Sequence, residues 1–421
     1  MSDQNYRPFG GADHPIPTVR RRHRGAVMYN PGRLMTHRPK FEWRVALILF
    51  GVLFIGVSDT QLIPPLLPLI ARDFGETPGR AGILVSAYAI AAAVFALFAG
   101  PISDRIGRKK VLVAALALFA AASLSTYMVT AFGALTLTRM FTGLAAGALS
   151  TCALSFAADE YVYAQRGRAM GIISMAYFMA LVVVVPLGAL AAPRFGWRVV
   201  FGALSGLAIV MLALSAGGLP ADGARRRRVR FSLSQWTGHF RQADRLGAMG
   251  AAFLTSGGLG AFMTYVGAWL NTERGVDIQR IGLVFMLAGA AAVVASPVSG
   301  WISDRVGKTR VLVIANILLG VMFLLVAQAA WGGWLLAGIA CLSVAASARQ
   351  APLHALTTEI VSSEIRGEFI AVRNAASQLG IALAAIAAAY VFDRSGFSGV
   401  SALAAGASLL IPFCLITIRT R

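Results

Sequence analysis

The stretch Gly100-Pro-Ile-Ser-Asp-Arg-Ile-Gly-Arg-Lys-Lys-Val-Leu-Val113 is a short charged string between two long apolar runs. It returns as Gly300-Trp-Ile-Ser-Asp-Arg-Val-Gly-Lys-Thr-Arg-Val-Leu-Val313, with nine of fourteen positions identical. Charged residues are scarce around both copies, so chance does not explain a repeated charged string. The chain reads as two copies of one unit about 200 residues long. Arg166-Gly167 and Arg366-Gly367 repeat in the same register.

Working outward, 57% of the 421 residues are hydrophobic and only 13% are charged. A soluble chain carries about 25% charged residues. The apolar residues gather in blocks of about 20, the length that crosses a bilayer as a helix. Twelve blocks are expected, at 45–70, 82–102, 110–132, 133–157, 168–192, 197–219, 246–270, 279–301, 310–330, 332–357, 367–392 and 397–418. An even number puts both termini on one side. That side holds 28 of the 38 Lys and Arg residues, and the opposite loops hold seven. The bias places both termini in the cytoplasm. It also accounts for the net charge of +20 without nucleic acid as a partner.

The expected fold is an all-α membrane protein of twelve transmembrane helices arranged as two six-helix pseudo-repeat bundles. Residues 1–44 form a basic, disordered cytoplasmic tail centred on Arg20-Arg21-Arg22-His23-Arg24. Residues 45–219 form the first bundle, 220–245 a basic linker, and 246–418 the second bundle. Within the linker, Arg225 to Arg228 read as a headgroup-facing run. Phe231, Leu233, Trp236 and Phe240 are spaced to form one face of an interfacial helix. The three cysteines, Cys152, Cys341 and Cys414, lie inside apolar blocks and read as filler rather than disulfide partners.

Both charged strings resemble the loop signature of the major facilitator superfamily, Gly-x-x-x-Asp-Arg-x-Gly-Arg-Arg/Lys. The first copy matches at Gly100, Asp104, Arg105, Gly107, Arg108 and Lys109. The second matches at Gly300, Asp304, Arg305, Gly307 and Lys308, with Thr309 in place of the next basic residue. The resemblance implies a cytoplasmic gate that latches the two halves when the opposite side is open. By position, the start of the eleventh helix near Ser362 to Glu368 is the expected partner of Asp104. Asp159 or Glu160 is the expected partner of Arg108.

Four charged residues lie well inside the apolar blocks: Asp59, Arg139, Arg349 and Arg373. Charge at membrane depth is costly, so each is a functional candidate. Counting rise per residue places Asp59 in the outer third of the membrane and Arg139 at similar depth from the opposite direction. They read as an ion pair that protonation of Asp59 would break. The pattern Arg139, Gly143, Gly147 is similar to one in proton-linked exporters of the superfamily. Pro186 and Gly188 partly match the helix 5 signature of the same exporters, and read as a hinge. Arg349 with Gln350, and Arg373 with Asn374, leave the second half positive. His354 reads as a satisfied polar residue. Family architecture also nominates Gln61, Tyr265 and Asn271 for the cavity.

These residues point to a secondary transporter, an exporter of small drug-like or metabolite molecules in exchange for protons. An organic-anion transporter using the arginines is the alternative, and a non-transporting sensor a third. No metal-ligand set, activated nucleophile or phosphate loop is present in the sequence, so neither an enzyme nor ATP drive is expected, and no cofactor. The expected setting is a bacterial inner membrane, the expected state a monomer, and the partners a small molecule, protons and lipid.

Overall fold

The computed structural model describes residues 41–221, 240–361 and 366–418. Most of the expected basic tail and linker, including Arg225 to Arg228, Phe231, Leu233 and Trp236, lies outside these residues. Phe240 is an exposed turn residue. The described residues are nearly all helical and contain no strand. A bilayer supplies no partner for a backbone N–H or C=O, and a helix satisfies both internally.

The first half comprises α1 (Trp43–Phe74), α2 (Ile83–Ile106), α3 (Arg108–Met128) and α4 (Phe132–Glu160). It continues with α5 and α6 (Trp197–Gly218). A one-turn helix, Pro78–Ala81, precedes α2, capped by Thr77 Oγ1 accepting from Arg80 N. α5 is composite: Tyr163–Ser174, Ala176–Met179, a π-helical turn Ala180–Val184, then Val185–Phe195. Pro186 lies just beyond the π turn, where its missing N–H breaks the ordinary ladder.

The second half comprises α7 (Ala243–Thr272), α8 (Ile278–Val306), α9 (Lys308–Gln328) and α10. α10 runs Gly333–Ala348, bends at Arg349, and resumes as Gln350–Glu359. The final helical run, Arg366–Ile416, is 51 residues long and non-helical only at Gly396. At 1.5 Å per residue it would measure about 76 Å, far beyond one crossing of about 30 Å. It is therefore two spans, α11 (366–395) and α12 (397–416). Among the described residues, eleven helical runs are long and apolar enough to cross a membrane, and the last contains two crossings, giving twelve. α7 begins at Ala243, inside the expected linker.

The repeat is written in the backbone. The glycines with positive φ are Gly75 and Gly275, Gly107 and Gly307, and Gly196 and Gly396. Each pair is separated by 200 residues, the offset of the charged strings. Each turns the chain between consecutive helices, in conformations a side chain resists. The hairpins agree in detail. Ser103 Oγ donates to the Gly100 carbonyl and Ser303 Oγ to the Gly300 carbonyl, both at 2.8 Å.

The hydrophobic core is not spread evenly along the helices. One continuous cluster joins the two halves at the end away from the hairpins. It includes Leu66, Ile70, Leu84, Val185 and Phe201 from the first half, and Tyr265, Trp269, Ile281, Phe323 and Phe397 from the second. Glycines permit this closure. A Cβ at Gly267 would press on the Pro64 carbonyl, and one at Gly282 on Ala189 and Pro186. Toward the hairpin end, two smaller clusters, around Leu312 with Leu353 and around Phe369 with Val372, stay within the second half. The halves are thus sealed at the far end by one shared core.

Candidate functional site

The four charged residues nominated inside the apolar blocks are the buried charged residues among those described: Asp59 0%, Arg139 1%, Arg349 0% and Arg373 4% exposed. They form no single cluster. Asp59 and Arg139 pair in the first half, while the other two arginines lie apart in the second.

The pair is built by three helices. Gly143 and Gly147 on α4 face the backbone of Tyr88 and Ala92 on α2, where any Cβ would collide with a carbonyl. Small residues at four-residue spacing let α2 and α4 pack backbone to backbone. Tyr88 is thereby brought over Arg139, whose guanidinium carbon is 5.2 Å from the ring centroid, with Phe201 at 5.7 Å. Tyr88 Oη donates to the Gly56 carbonyl of α1 at 3.3 Å, one turn from Asp59. Arg139 Nη1 donates to Asp59 Oδ1 at 2.8 Å and Nη2 to Asp59 Oδ2 at 2.5 Å. This bidentate fork is the strongest arrangement available to the two groups. Asp59 lies near the middle of the 32-residue α1, which continues to Phe74, beyond its apolar block.

In the second half, Arg349 Nη1 donates to Asn316 Oδ1 at 3.1 Å and Nη2 to the Thr255 carbonyl at 2.9 Å. It ties α10 to α9 and α7 from inside that bundle. Its neighbour Gln350 is exposed. Arg373 Nη1 lies 3.1 Å from His354 Nδ1 and 3.5 Å from Asn374 Oδ1. Gln61 is half-buried.

Tyr265 and Asn271, expected in the cavity, instead seal the far end. Tyr265 Oη donates to the Gly79 carbonyl at 3.1 Å, from one half to the other. Asn271 Oδ1 accepts from Arg72 Nη2 at 2.7 Å, again across the halves. Thr77 Oγ1 donates to Asp393 Oδ2 at 3.1 Å alongside. Side-chain reach beyond helix ends is not encoded in apolar periodicity, so the sequence alone missed this layer. Gly188 marks where α5 meets α1 and α6, since a Cβ there would meet Leu62 and Val200.

At the hairpin end, Arg108 Nη2 bonds Asp104 Oδ1 at 3.1 Å and Arg108 Nε bonds Asp159 Oδ2 at 2.7 Å. In the second copy Lys308 pairs with Glu359. Asp159 and Glu359 are themselves 200 residues apart. Lys109 Nζ donates to the Leu219 carbonyl at 2.8 Å, a cation at the end of α6. Thr309 replaces that lysine in the second copy. Arg105 is exposed, and so is Asp304; Arg305 lies over the Trp301 ring at 3.8 Å. Residues 362–365, where the Asp104 partner was expected, lie outside the described residues.

The sequence and the fold are both similar to those of known proteins. The family model for the Major Facilitator Superfamily matches residues 48–266 and 248–421. The chain is 30% identical over 389 residues to the probable transporter SCO4007 of Streptomyces coelicolor, covering 87% of this chain and 85% of that protein. It is 28% identical over 260 residues to the purine ribonucleoside efflux pump NepI of Salmonella paratyphi B, covering 61% of this chain and 62% of that protein. The crystal structure of a D-xylose-proton symporter superposes with a TM-score of 0.75 at 16% identity, over 88% of this chain and 97% of that one. Two matches that together span both halves of a twelve-helix chain establish the family: this is a multi-pass membrane protein of the major facilitator superfamily.

Proposed function

We propose that this transporter works by alternating access and exports small drug-like or metabolite molecules in exchange for protons. Its setting is a bacterial inner membrane, with both termini and the hairpins on the cytoplasmic side. The halves 45–219 and 246–418 rock about the central site. The shared core at the far end then makes this an inward-facing form.

The observation that carries the reading is the bidentate Asp59–Arg139 pair, closed off from solvent. A buried carboxylate held by one arginine has two stable forms. It is ionised and forked to Arg139, or protonated and released from it. A change of half-orientation that wets the pair shifts that balance, which is what couples a proton to a conformational cycle. Arg108 holds both Asp104 and Asp159, and Lys308 pairs with Glu359, each within its own half; Asp104 would exchange partners to latch the other state. The resemblance to an efflux pump supports the export direction.

The test is transport in proteoliposomes with and without a pH gradient, across a panel of cationic, neutral and anionic compounds. Gradient-driven movement is expected for at least one compound. The Asp59→Asn variant should lose it while still exchanging labelled for unlabelled substrate. Full gradient-driven transport by Asp59→Asn excludes Asp59 as the proton carrier.

A further inference from the structure

The second half holds two buried arginines and, among the described residues, no buried acid. Arg349 is accommodated by fixed neutral partners on two neighbouring helices. Arg373 is not. One of its terminal nitrogens faces His354 Nδ1 and only brushes Asn374 Oδ1, and its buried Nε, like that of Arg349, has no hydrogen-bond partner. A buried cation without a counter-charge is expensive, and the cost falls when an anion arrives.

The surroundings show where that anion would come from. His354 and Asn374 are both exposed. Yet Asn374 lies eight residues into α11, about 12 Å along it, and His354 five residues before the end of α10, about 8 Å from it. Polar side chains at that depth face water or protein rather than lipid. They therefore face water on the hairpin side, beside Arg373, which is itself 4% exposed.

We infer that Arg373, flanked by His354 and Asn374, binds the carboxylate of a small organic anion carried by this transporter. Arginine only donates, so His354 Nδ1 accepts and the neutral ring carries its proton on Nε2. One guanidinium fork, one ring N–H and one amide N–H₂ suit a singly charged, two-oxygen group. A phosphate dianion would call for more positive charge. The inference rests on the reading of the chain as a transporter whose site opens at the hairpin end, and it names the substrate class.

The experiment is ligand binding to the purified full-length protein in detergent, read as the rise in unfolding temperature and applied without any pH gradient. The probes are acetate, benzoate and succinate, each against its neutral amide, with inorganic phosphate as a separate arm. At least one carboxylate should stabilise the protein, with its amide at least tenfold weaker. Arg373→Gln should weaken that carboxylate at least tenfold, and Arg373→Lys should recover part of the loss. If Arg373→Gln does not fold, His354→Gln and Asn374→Ala should each weaken it several-fold. Carboxylates no better than their amides, stabilisation by phosphate alone, or unchanged binding in these variants overturns the inference. Because no gradient is present, carboxylate binding that survives a failure of proton coupling overturns the exchange reading alone. Intact coupling without carboxylate preference overturns this inference alone.

Discussion

Asp159 and Glu359 hold the same place in the two halves: each sits where the fourth helix of its bundle ends and pairs with the first basic residue after the hairpin glycine. The two pairs repeat one brace 200 residues apart, and both acids are largely exposed, 65% and 48%. Ion pairs in such exposed settings contribute at most about 1 kcal/mol. Their value lies in positioning the hairpins.

Arg108→Gln and Lys308→Gln should each change unfolding free energy by less than about 1 kcal/mol. Each should nevertheless shift the balance between open and closed hairpin ends. Distances between spin labels placed on the two hairpins would show this. A stability loss of several kcal/mol with unchanged distances would contradict it.

Gly82 packs against the Tyr265 hydroxyl, in the layer that seals the far end. Gly82→Ala should wedge that layer apart and cost about 1–3 kcal/mol, the usual penalty of overpacking. Tyr265→Phe in the same chain removes the obstructing oxygen and should recover part of the loss. Cysteines at Thr77 and Asp393 give a second readout. Their cross-linking should be efficient in the parent and slower with Gly82→Ala.

Asp59 and Arg139 are both sealed from solvent, so removing one leaves the other uncompensated. Asp59→Asn or Arg139→Gln alone should cost about 3–5 kcal/mol. The double variant should cost less than the sum, because no lone charge remains. Unfolding of the four proteins in a double-mutant cycle measures the coupling. Additive losses would mean the pair is not the unit the geometry describes.

Gly107 and Gly307 adopt φ of 117° and 103°. Alanine at either should cost about 1–3 kcal/mol in strain. Each lies in its own half, so the two losses should add within about 0.5 kcal/mol. Thermal unfolding of the two single variants and the double tests both statements.

Much of the architecture was legible because a membrane writes its demands into composition. A crossing needs about 20 apolar residues, and a buried charge stands out against them. That is why Asp59, Arg139, Arg349 and Arg373 could be singled out, and the structure buries all four. The Asp59–Arg139 pairing followed from depth, and the Arg139, Gly143, Gly147 spacing pointed to close helix contact. Gly75 with Gly275 and Gly196 with Gly396 carry the same repeat, but single glycines among 44 give no signal until the backbone shows their shared conformation.

Other features depended on the fold. Tyr265 and Asn271 look like cavity residues by helix membership, yet they close the far end, because one shared core pulls the halves together there. Arg349 and Arg373 are equivalent in sequence terms, and only packing separates them. Asn316 and the Thr255 carbonyl accommodate Arg349, while Arg373 has a histidine and the amide beside it in sequence.

The sequence by itself determined the twelve crossings, the two-fold repeat and the buried charges, since these follow from local composition and periodicity. The tertiary structure alone decided which end is sealed, which arginine is tied to neighbouring helices and which lies beside exposed polar side chains. Those outcomes depend on contacts between helices up to hundreds of residues apart, where a single close approach at Gly267 or Gly282 outweighs any local preference.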